Sequence, residues 1–551
     1  MPAIITDIAS SPKPTQPPSD LKSATPAIVV GMAAAFGGFL YGYDTGTISG
    51  IIAMPAFKQI FGQKYDINVP SNFDLAHPQP GYDLPTAHQS LIVSILSAGT
   101  FVGSLAGAPL ADNLGRKIGM QIALLIFCAG VAMQTASTSV GLLAAGRAIA
   151  GLGVGIVSTI VPMYQSETAP RWIRGAVVSG YQWAITIGLL IAAIVNNSTQ
   201  SYMDTRCYRI PIAIQIAFAF ILSALFFVLP ESPRWYIKEG NRRAALQSLA
   251  RLNASTVDDP SVTAEAELIQ MNLDTELQYG NGGYRDCFSP NERKYLLRTM
   301  TGVFLQAWQQ LTGINFIFYY GTKFFSIAVP SGNPYHFTII SNVVNVIMTV
   351  PGMWWMDFIG RRDILIGGAL WMTVCELIVA IVGTVEPKSN AAAGKSLVAF
   401  VCLYIAAFAS TWGPAAWVVC GEIFPLAIRA KALSLCVASN WLWNFGIGYA
   451  TPYLVNTGPG YAGLGTKVFF IWSTTCFCSA IYAFLFIYET KGLSLEEVDE
   501  MYAYTSAFQS KRANGEIQAR RVDTEGHSAP VRDDESATGH SKREDVKIAT
   551  E

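Results

Sequence analysis

Long stretches of this chain carry no Asp, Glu, Lys or Arg, and this absence of charge limits what the chain can fold into. The charge-free stretches are residues 118–146, 148–166, 175–203, 210–230, 324–356, 396–421, 432–466 and 468–488. A helix of about 20 apolar residues is long enough to cross the hydrocarbon core of a bilayer. The stretches therefore predict an all-α membrane protein whose helices cross the bilayer.

The apolar stretches divide into twelve predicted spans. These are residues 26–48, 88–110, 118–137, 141–163, 176–196, 210–229, 299–326, 336–356, 364–385, 396–420, 432–455 and 468–488. The charged residues inside them are Asp44, Arg147, Lys323 and Glu376. Charged residues make up 14% of the 551 residues, against about 25% in an ordinary soluble domain, so the composition argues against a soluble enzyme. A net charge of −1 argues against a nucleic-acid partner.

The distribution of Lys and Arg predicts the orientation of the chain, because basic residues concentrate in cytosolic loops. With both termini in the cytosol, the cytosolic loops and the segment after the sixth span hold seventeen basic residues, and the outer loops hold seven. An even number of spans agrees with this orientation. We therefore expect a multi-pass membrane protein with both termini in the cytosol.

Composition divides the chain into five predicted segments. They are a disordered cytosolic N-terminus (1–25), a first six-helix half (26–229), a cytosolic connector with short helices (230–298), a second six-helix half (299–488) and a cytosolic tail (489–551). In the tail, Ser494 and Glu497 have the spacing of a capping box and predict a short helix. Beyond about residue 505 the tail is polar and is predicted to be disordered.

The two predicted halves repeat each other in sequence. The segment DNLGRK at 112–117 recurs as DFIGRR at 357–362. Further matches, in the same order, pair Glu167 with Glu422, Arg174 with Arg429, Gln182 with Asn440, Trp183 with Trp441, Gly188 with Gly446 and Glu231 with Glu489. Parallel repeats with a long connector are typical of transporters whose halves rock about a central site.

Several motifs carry a family resemblance. They are GGFLYGYDTG at 37–46, GRK at 115–117, RAIAG at 147–151, YQSE at 164–167 followed by RG at 174–175, PESPRW at 230–235, QQLTGIN at 309–315, GRR at 360–362 and ETKG at 489–492. With these motifs the chain resembles the sugar porter family of the major facilitator superfamily, and within it the fungal hexose transporters, over residues 26–504. The resemblance implies the superfamily fold of twelve transmembrane helices and the transport of a monosaccharide, with glucose as the expected hexose.

Carboxamide side chains at membrane depth indicate the kind of substrate. An amide both donates and accepts hydrogen bonds, as a sugar hydroxyl does, so a cavity lined by amides suits a neutral polyhydroxylated solute. The resemblance implies substrate-binding residues at Gln182, Gln309, Gln310, Asn315, Asn345 and Asn444, and a ring that stacks on the sugar at Trp417. Hydrogen bonding between helices is the alternative role. Helix breaks are expected at Gly313, which would bring amides together, and at Gly413 and Pro414.

Asp44 and Arg147 are predicted at similar depths in the membrane, close enough to pair. A carboxylate inside a bilayer is costly, and an Asp whose Arg partner moves during a transport cycle would take up and release a proton. This favours proton symport, and the resemblance includes plant symporters with Asp and Arg at these positions. The alternative is a static ion pair in an uncoupled hexose uniporter, because yeast hexose facilitators carry a similar segment around the Asp. No role is predicted for Glu376.

Acidic and basic residues repeat at the cytosolic ends of both halves. Ion pairs among them would hold the cytosolic face closed while the site is open outward, and would break as it opens inward. The predicted gate residues are Asp112, Arg116, Glu167, Arg174 and Glu231 in the first half and Asp357, Arg361, Glu422, Arg429 and Glu489 in the second. The alternative of solvated loops explains the bases but not the repeated acids.

The sequence shows no pattern of catalysis or metal binding. The nine cysteines and five histidines have neither metal-ligand spacing nor a disulfide framework. We therefore expect no enzyme activity and no cofactor, and we expect a monosaccharide, a proton and the lipid bilayer as partners. A sugar receptor that does not transport is the second alternative. Asn196 and Asn197 both fit the N-glycosylation pattern, close to the end of a span.

Overall fold

The computed structural model describes residues 21–65, 81–170, 173–277, 283–328, 332–386, 391–458 and 460–526. The helices are α1 (Leu21–Ile51), α2 (Pro55–Phe61), α3 (Thr86–Thr135), α4 (Val140–Thr168), α5 (Arg174–Thr199), α6 (Arg206–Val228), α7 (Pro233–Lys238), α8 (Arg242–Leu252), α9 (Pro260–Leu277), α10 (Tyr295–Leu311), α11 (Ile314–Ala328), α12 (Pro334–Phe358), α13 (Arg361–Val385), α14 (Ala391–Ser410), α15 (Trp412–Glu422), α16 (Arg429–Val455), α17 (Val468–Phe486), α18 (Leu495–Tyr504) and α19 (Ser510–Gly526). Strands β1 (Gln63–Tyr65) and β2 (Gly81–Asp83) pair antiparallel, with Lys64 opposite Tyr82.

All twelve predicted spans are helical. In the described part of the chain, nine helical segments are long and apolar enough to cross a membrane. The 50-residue α3 covers two predicted spans, because Gly115, with a φ of 87°, turns the chain between them. The other predicted spans coincide with α16 and with the pair α10 and α11.

The spans form two six-helix halves. Helices α1 and α3 to α6 build the first half, and α10 to α17 build the second, in which α10 with α11 and α14 with α15 each form one broken span. Helices α7, α8 and α9 lie between the halves in sequence and share a small apolar core that includes Ile237, Leu249 and Val262. We call the side of the molecule that carries α7 to α9 the connector face, and the other side the opposite face.

Helices α1 and α5 approach each other closely because glycines face the contact. Glycine stands at every fourth position of α1, at Gly38, Gly42, Gly46 and Gly50. A Cβ atom at Gly42 would lie only 2.0 Å from the carbonyl oxygen of Ile185. Small residues of this kind let membrane helices pack backbone against backbone.

Two spans of the second half are broken in the middle. Gly313, with a φ of 82°, separates α10 from α11, as predicted. The second break lies at Thr411, with φ of −130° and ψ of −87°, and the prediction of a break at Gly413 and Pro414 is wrong. Pro414 lies in the first turn of α15, where proline is tolerated because the first N–H groups of a helix have no helical partner.

The tail is helical over a longer range than predicted. Helix α18 begins with the predicted capping box at Ser494. The prediction of disorder beyond about residue 505 is wrong for Ser510–Gly526, which forms α19. The Asn514 side chain donates hydrogen bonds of 3.0 Å to the carbonyls of Glu489 and Lys491, and these contacts hold α19 against the preceding chain. The rest of the tail lies outside the described residues.

Two predictions near the ends of α1 and α5 need correction. Helix α1 already starts at Leu21, inside the predicted disordered N-terminus, of which residues 1–20 lie outside the described residues. Asn196 is not available for glycosylation, because it is 2% exposed and its Nδ2 atom donates to two backbone carbonyls of α1 at 3.1 Å. Glycosylation of Asn197 stays a prediction.

The repeat supplies a matched test of close helix packing. A Cβ at Gly188 in α5 would lie 2.3 Å from the Phe39 carbonyl oxygen, whereas a Cβ at its repeat partner Gly446 would meet nothing within 4 Å. We expect Gly188→Ala to destabilise the protein by about 1–3 kcal/mol, the usual cost of overpacking, and Gly446→Ala to be tolerated. Thermal stability of both variants, measured by size-exclusion of heated detergent extracts, checks this. Equal melting temperatures for the two would contradict it.

Candidate functional site

A cavity of about 390 Å³ lies between the two halves, and we call it the central cavity. Its lining residues are Tyr41 and Thr45 of α1, Gln182, Ile185 and Leu189 of α5, Gln309 and Gln310 of α10, Ile314, Asn315 and Phe318 of α11, Phe408 of α14 and Trp417 of α15. Five of the seven residues predicted to contact substrate line this cavity, and the other two, Asn345 and Asn444, do not.

The break at Gly313 gathers three amides on one side of the central cavity. On a continuous helix, Asn315 would point about 120° away from Gln309. In the broken span, the Asn315 amide donates to Gln310 Oε1, and the Gln310 amide lies 3.5 Å from Gln309 Oε1. Gln309 Nε2 also donates to the Trp412 carbonyl at 3.1 Å, which ties this broken span to the other one.

Two asparagines of α16 hold these glutamines from behind. Asn440 Nδ2 donates to Gln309 Oε1 at 2.8 Å, and Asn444 Nδ2 donates to Gln310 Oε1 at 3.2 Å. Asn444 Oδ1 in turn accepts a hydrogen bond of 2.7 Å from the Tyr319 hydroxyl. Asn444 therefore bonds between helices and orients Gln310, which is the alternative role that the sequence left open for these amides.

Trp417 forms the wall of the central cavity next to Gln182. Its indole Nε1 donates to Gln182 Oε1 at 3.2 Å, so the two halves meet across this hydrogen bond. Tyr181 packs edge-on against the indole, with ring centroids 5.1 Å apart, and Phe318 and Phe408 extend the aromatic wall. Amides beside aromatic rings can bind a molecule that has both hydroxyl groups and C–H faces.

Asp44 and Arg147 lie next to each other inside the first half. Arg147 Nη1 is 3.9 Å from Asp44 Oδ1, and the two side chains are 2% and 0% exposed. The Gln215 amide lies close enough to interact with the Asp44 carboxylate, although over the described residues neither Asp44 oxygen accepts a hydrogen bond of regular geometry. Arg147 Nε and Nη2 also lack partners there. The two charges are therefore loosely paired and keep hydrogen-bonding capacity for a proton or for another group.

The other polar residues singled out within the spans lie away from the central cavity. Asn345 is fully buried in α12, and its amide has no hydrogen-bond partner in the described part of the chain. Glu376 of α13 is 1% exposed and faces the Tyr404 hydroxyl. Lys323 Nζ donates to Asn456 Oδ1 at 3.3 Å. Among the described residues, no group of three or more His, Cys, Asp or Glu side chains is placed to hold a metal ion.

Four of the five predicted gate residues of the first half form one cluster at the connector face. Arg116 makes an ion pair of 2.8 Å with Glu167, and it lies 3.8 Å from Asp112. Glu231 accepts a hydrogen bond of 2.9 Å from the backbone N–H of Lys117. These contacts fasten the turn in the middle of α3 to the ends of α4 and α6.

The second half repeats this cluster. Arg361 pairs with Glu422 at 2.8 Å and with Asp357 at 3.1 Å. Glu489 accepts from the backbone N–H of Arg361 at 3.0 Å. Gly360, with a φ of 108°, is needed for this approach, because a Cβ there would lie 2.4 Å from a Glu489 oxygen.

Direct contacts between the halves at the connector face include a residue that the sequence prediction missed. Lys431 Nζ forms an ion pair with Asp112, and the backbone N–H of Ala176 donates to Asp357 Oδ2 at 3.2 Å. Lys431 and Ala176 occupy equivalent positions of the repeat. Lys431 could have been identified from the sequence, because the second repeat has a basic residue where the first repeat has alanine.

The remaining predicted gate arginines lie between the two clusters. Arg174 of the first half is close enough to Glu422 and Glu496 for electrostatic interaction. Arg429 of the second half is similarly close to Glu167 and donates to a backbone carbonyl of its own half at 2.9 Å. Each arginine therefore faces an acid of the other half's cluster.

An ion pair joins the connector to the tail. Arg234 of α7 lies 3.0 Å from Glu496 of α18. Burial by itself favours the neutral acid, but the Arg234 guanidinium outweighs it and holds the pKa of Glu496 at about 2. The pair is therefore ionised at physiological pH. Neither residue was predicted, although PESPRW contains Arg234 and the helix after the capping box contains Glu496.

The halves also touch at the opposite face. The Tyr335 hydroxyl of α12 donates to the Gly50 carbonyl of α1 at 3.2 Å. The Ser90 hydroxyl of α3 donates to the Tyr449 carbonyl of α16 at 2.9 Å. Contacts between the halves therefore lie on both sides of the central cavity.

Comparison with known proteins places this chain in a family. A family model described as "Sugar (and other) transporter" matches residues 30–502. The major facilitator-type transporter ecdD of Aspergillus rugulosus is 46% identical over 546 residues, which cover 96% of this chain and 97% of that protein. The probable glucose transporter rco-3 of Neurospora crassa is 44% identical over 485 residues, which cover 87% of this chain and 80% of that protein.

A sensor and a solved symporter structure are also similar. The high glucose sensor RGT2 of Saccharomyces cerevisiae is 41% identical over 488 residues, which cover 88% of this chain and 62% of the sensor. The structure of the proton:xylose symporter XylE bound to 6-bromo-6-deoxy-D-glucose is 27% identical, with a TM-score of 0.72 over 87% of this chain and 100% of that one. This chain is therefore a multi-pass membrane protein of the Sugar (and other) transporter family, with the major facilitator superfamily fold.

Proposed function

We propose that this protein moves a monosaccharide, a hexose such as glucose, across the plasma membrane by alternating access and together with a proton. The observation that carries the proposal is the central cavity, which lies between the halves and is lined by amides and Trp417. Similarity to a probable glucose transporter and to a proton:xylose symporter supports it. In this proposal both termini are cytosolic, so the connector face is the cytosolic face.

The contacts divide the proposed substrate residues by role. Gln182, Gln310, Asn315 and Trp417 line the central cavity and are proposed to touch the sugar, the amides through its hydroxyls and the indole through its C–H face. Gln309 is anchored by hydrogen bonds to backbone carbonyls of α15, so it fixes the cavity wall. Asn444 acts through Gln310, and the unpartnered amide of Asn345 is proposed to join the site when the halves move.

Inward opening requires only the contacts between the halves to break. Arg116 with Glu167 and Arg361 with Glu422 pair inside their own halves, so both clusters can move as units. The ion pair between Lys431 and Asp112 crosses from one half to the other. We therefore assign the lock of the cytosolic gate to this cross-half pair, and the integrity of each half to the inner pairs.

A chain of contacts connects the proposed proton site to the central cavity. Tyr319 lies close enough to Asp44 and Arg147 for electrostatic interaction. Its hydroxyl donates to Asn444 Oδ1 at 2.7 Å, and Asn444 donates to Gln310 at 3.2 Å. Movement of Gln310 towards a sugar would change this chain, and with it the surroundings of Asp44 and Arg147 that govern uptake and release of a proton.

Two alternatives make different predictions for uptake. An uncoupled uniporter would move sugar only downhill, with a static pair of Asp44 and Arg147. A sugar receptor would bind the sugar without moving it, and this alternative rests on the 41% identity to a glucose sensor, which is lower than the 44% identity to a probable glucose transporter. Uptake of labelled glucose into cells that lack their own hexose carriers distinguishes transport from reception, since only a transporter restores it.

Loss of the cavity wall should weaken sugar binding. We expect Trp417→Ala and Gln310→Ala each to remove about 1–3 kcal/mol of binding free energy, which corresponds to roughly 5- to 150-fold in affinity. Trp443→Ala is the control, because Trp443 is exposed on the outer surface of α16. Glucose binding to the purified variants measures this, and unchanged affinity in both cavity variants would remove these residues from the site.

Removal of the Asp44 charge should uncouple sugar from the proton. We expect Asp44→Asn to abolish uphill uptake while exchange of sugar across the membrane continues, because the neutral side chain can no longer release a proton. Sugar-induced proton entry and counterflow in proteoliposomes measure the two processes. If the unmutated protein shows neither pH dependence nor sugar-induced proton entry, the uniporter alternative is correct.

Loss of the cross-half ion pair should favour the inward-open state. We expect Lys431→Met to shift the conformational equilibrium by about 1 kcal/mol, roughly fivefold. The control is Lys491→Met, because Lys491 Nζ bonds a carbonyl of its own half, that of Phe358 at 2.8 Å. Distances between spin labels on the two halves at the connector face report the populations. A distribution identical to that of the control would contradict the role of Lys431.

A further inference from the structure

A second cavity, of about 430 Å³, lies between the central cavity and the opposite face. It is formed by the ends of α1 and α5 in the first half and by α11 and α12 in the second. Leu189 and Phe318 line both this cavity and the central one, so these two side chains form the partition. At the opposite face, the hydrogen bond from Tyr335 to Gly50 joins the two halves. We call this second space the outer cavity.

The outer cavity presents buried polar atoms that have no partner. Within the described residues, Asn196 Oδ1, Asn342 Oδ1 and the Ser49 hydroxyl make no hydrogen bond. The three residues are 2%, 5% and 4% exposed. A polar group buried without a partner destabilises a protein, so three such groups around one cavity indicate that something else supplies the missing hydrogen bonds.

The orientation of the two amides defines what the missing partner must be. Asn196 Nδ2 donates to the carbonyls of Gly46 and Thr47 at 3.1 Å, and Asn342 Nδ2 donates to the Thr338 carbonyl at 3.0 Å. Carbonyl oxygens only accept hydrogen bonds, so neither amide can be turned around without loss of these bonds. Both Oδ1 atoms are therefore fixed as acceptors, and the ligand must bring several donors.

The lining of the outer cavity also excludes a charged ligand. None of the described residues that line it is Asp, Glu, Lys or Arg. Besides the three unpartnered groups it offers the hydroxyls of Thr322 and Thr338, which are 3.1 Å apart, and the ring of Phe325. Hydroxyls and amides beside an aromatic ring repeat the chemistry of the central cavity with different residues.

We propose that the outer cavity is a second monosaccharide site, occupied before sugar passes Leu189 and Phe318 into the central cavity. The proposal rests on the proposed function, because it takes the same class of ligand and the same route. Several hydroxyl donors on one neutral molecule match the fixed acceptors Asn196 and Asn342 and the Ser49 hydroxyl. Ordered water is the competing occupant, since water can also satisfy buried polar groups.

The test counts glucose molecules bound to the full-length protein in nanodiscs, with tritiated D-glucose as the probe. We expect two sites in the unmutated protein. The double variant Gln310→Ala/Trp417→Ala (the central variant) should lose binding in the central cavity and keep binding in the outer cavity. The double variant Ser49→Ala/Asn342→Leu (the outer variant) should keep binding in the central cavity and lose at least tenfold in affinity at the outer cavity. Thr349→Val is the control, because it removes a hydroxyl of α12 that is bonded to the Asn345 carbonyl at 2.7 Å and lines neither cavity.

The proposal would be overturned if the protein binds a single glucose per chain, and if this binding is lost in Gln310→Ala/Trp417→Ala and unchanged in Ser49→Ala/Asn342→Leu. Water would then be the occupant of the outer cavity. Counterflow would still occur in that case, so the proposed transport function would stand. Absence of both glucose binding and counterflow in the unmutated protein would overturn both proposals. If Ser49→Ala/Asn342→Leu does not fold, Thr338→Cys is introduced into the Gln310→Ala/Trp417→Ala variant and its thiol is labelled with and without glucose. Slower labelling in the presence of glucose supports the second site, and an unchanged labelling rate overturns it.

Discussion

Polar side chains inside the spans of this protein have to find partners within the protein, because the interior of a bilayer offers none. This constraint organises the centre of the molecule. Asn440 bonds both Gln306 and Gln309, at 2.7 and 2.8 Å, and Asn444 bonds Gln310. The central cavity lies beside this network, and Gln309 and Gln310 belong to both. One residue type therefore serves two purposes, since the amides of the spans hold helices together and also line the cavity.

The connector face also uses one kind of group for two purposes, and there the groups are charged side chains. Each half places an arginine against an acid of its own, and these inner pairs are mostly buried. A second acid lies next to each of these arginines, and Asp112, 3.8 Å from Arg116 through one oxygen, presents its other oxygen to Lys431 of the second half. The two clusters are equivalent in sequence, but the cross-half contacts are not, because an ammonium group meets Asp112 while a backbone N–H meets Asp357. The closed state is therefore held unequally by the two repeats.

Local signals were sufficient to predict much of the fold. Apolar stretches with few charges located all twelve spans. Gly313 marked a helix break because only glycine readily adopts its positive φ, and Ser494 with Glu497 marked the start of α18. The predictions that failed concern features held by distant contacts. Helix α19 depends on hydrogen bonds from Asn514 to a segment more than twenty residues away, and nothing in its own composition indicates that docking. The break at Thr411 likewise has no proline or glycine at its position.

The sequence by itself determined which groups are polar, how deep in the membrane they lie and that the halves repeat, because these properties depend on residue type and on position along a helix. Only the tertiary structure decided which polar atoms are already satisfied. Asn444 accepts from Ser97 at 2.7 Å across 347 residues of sequence, which places it behind the cavity instead of in its wall. Asn196 fits a glycosylation pattern in the sequence, whereas in the packed helices its Nδ2 atom bonds the backbone of α1 and the residue lines a second cavity. Hydrogen-bond partners are set by how distant helices approach, and one-dimensional patterns do not contain that geometry.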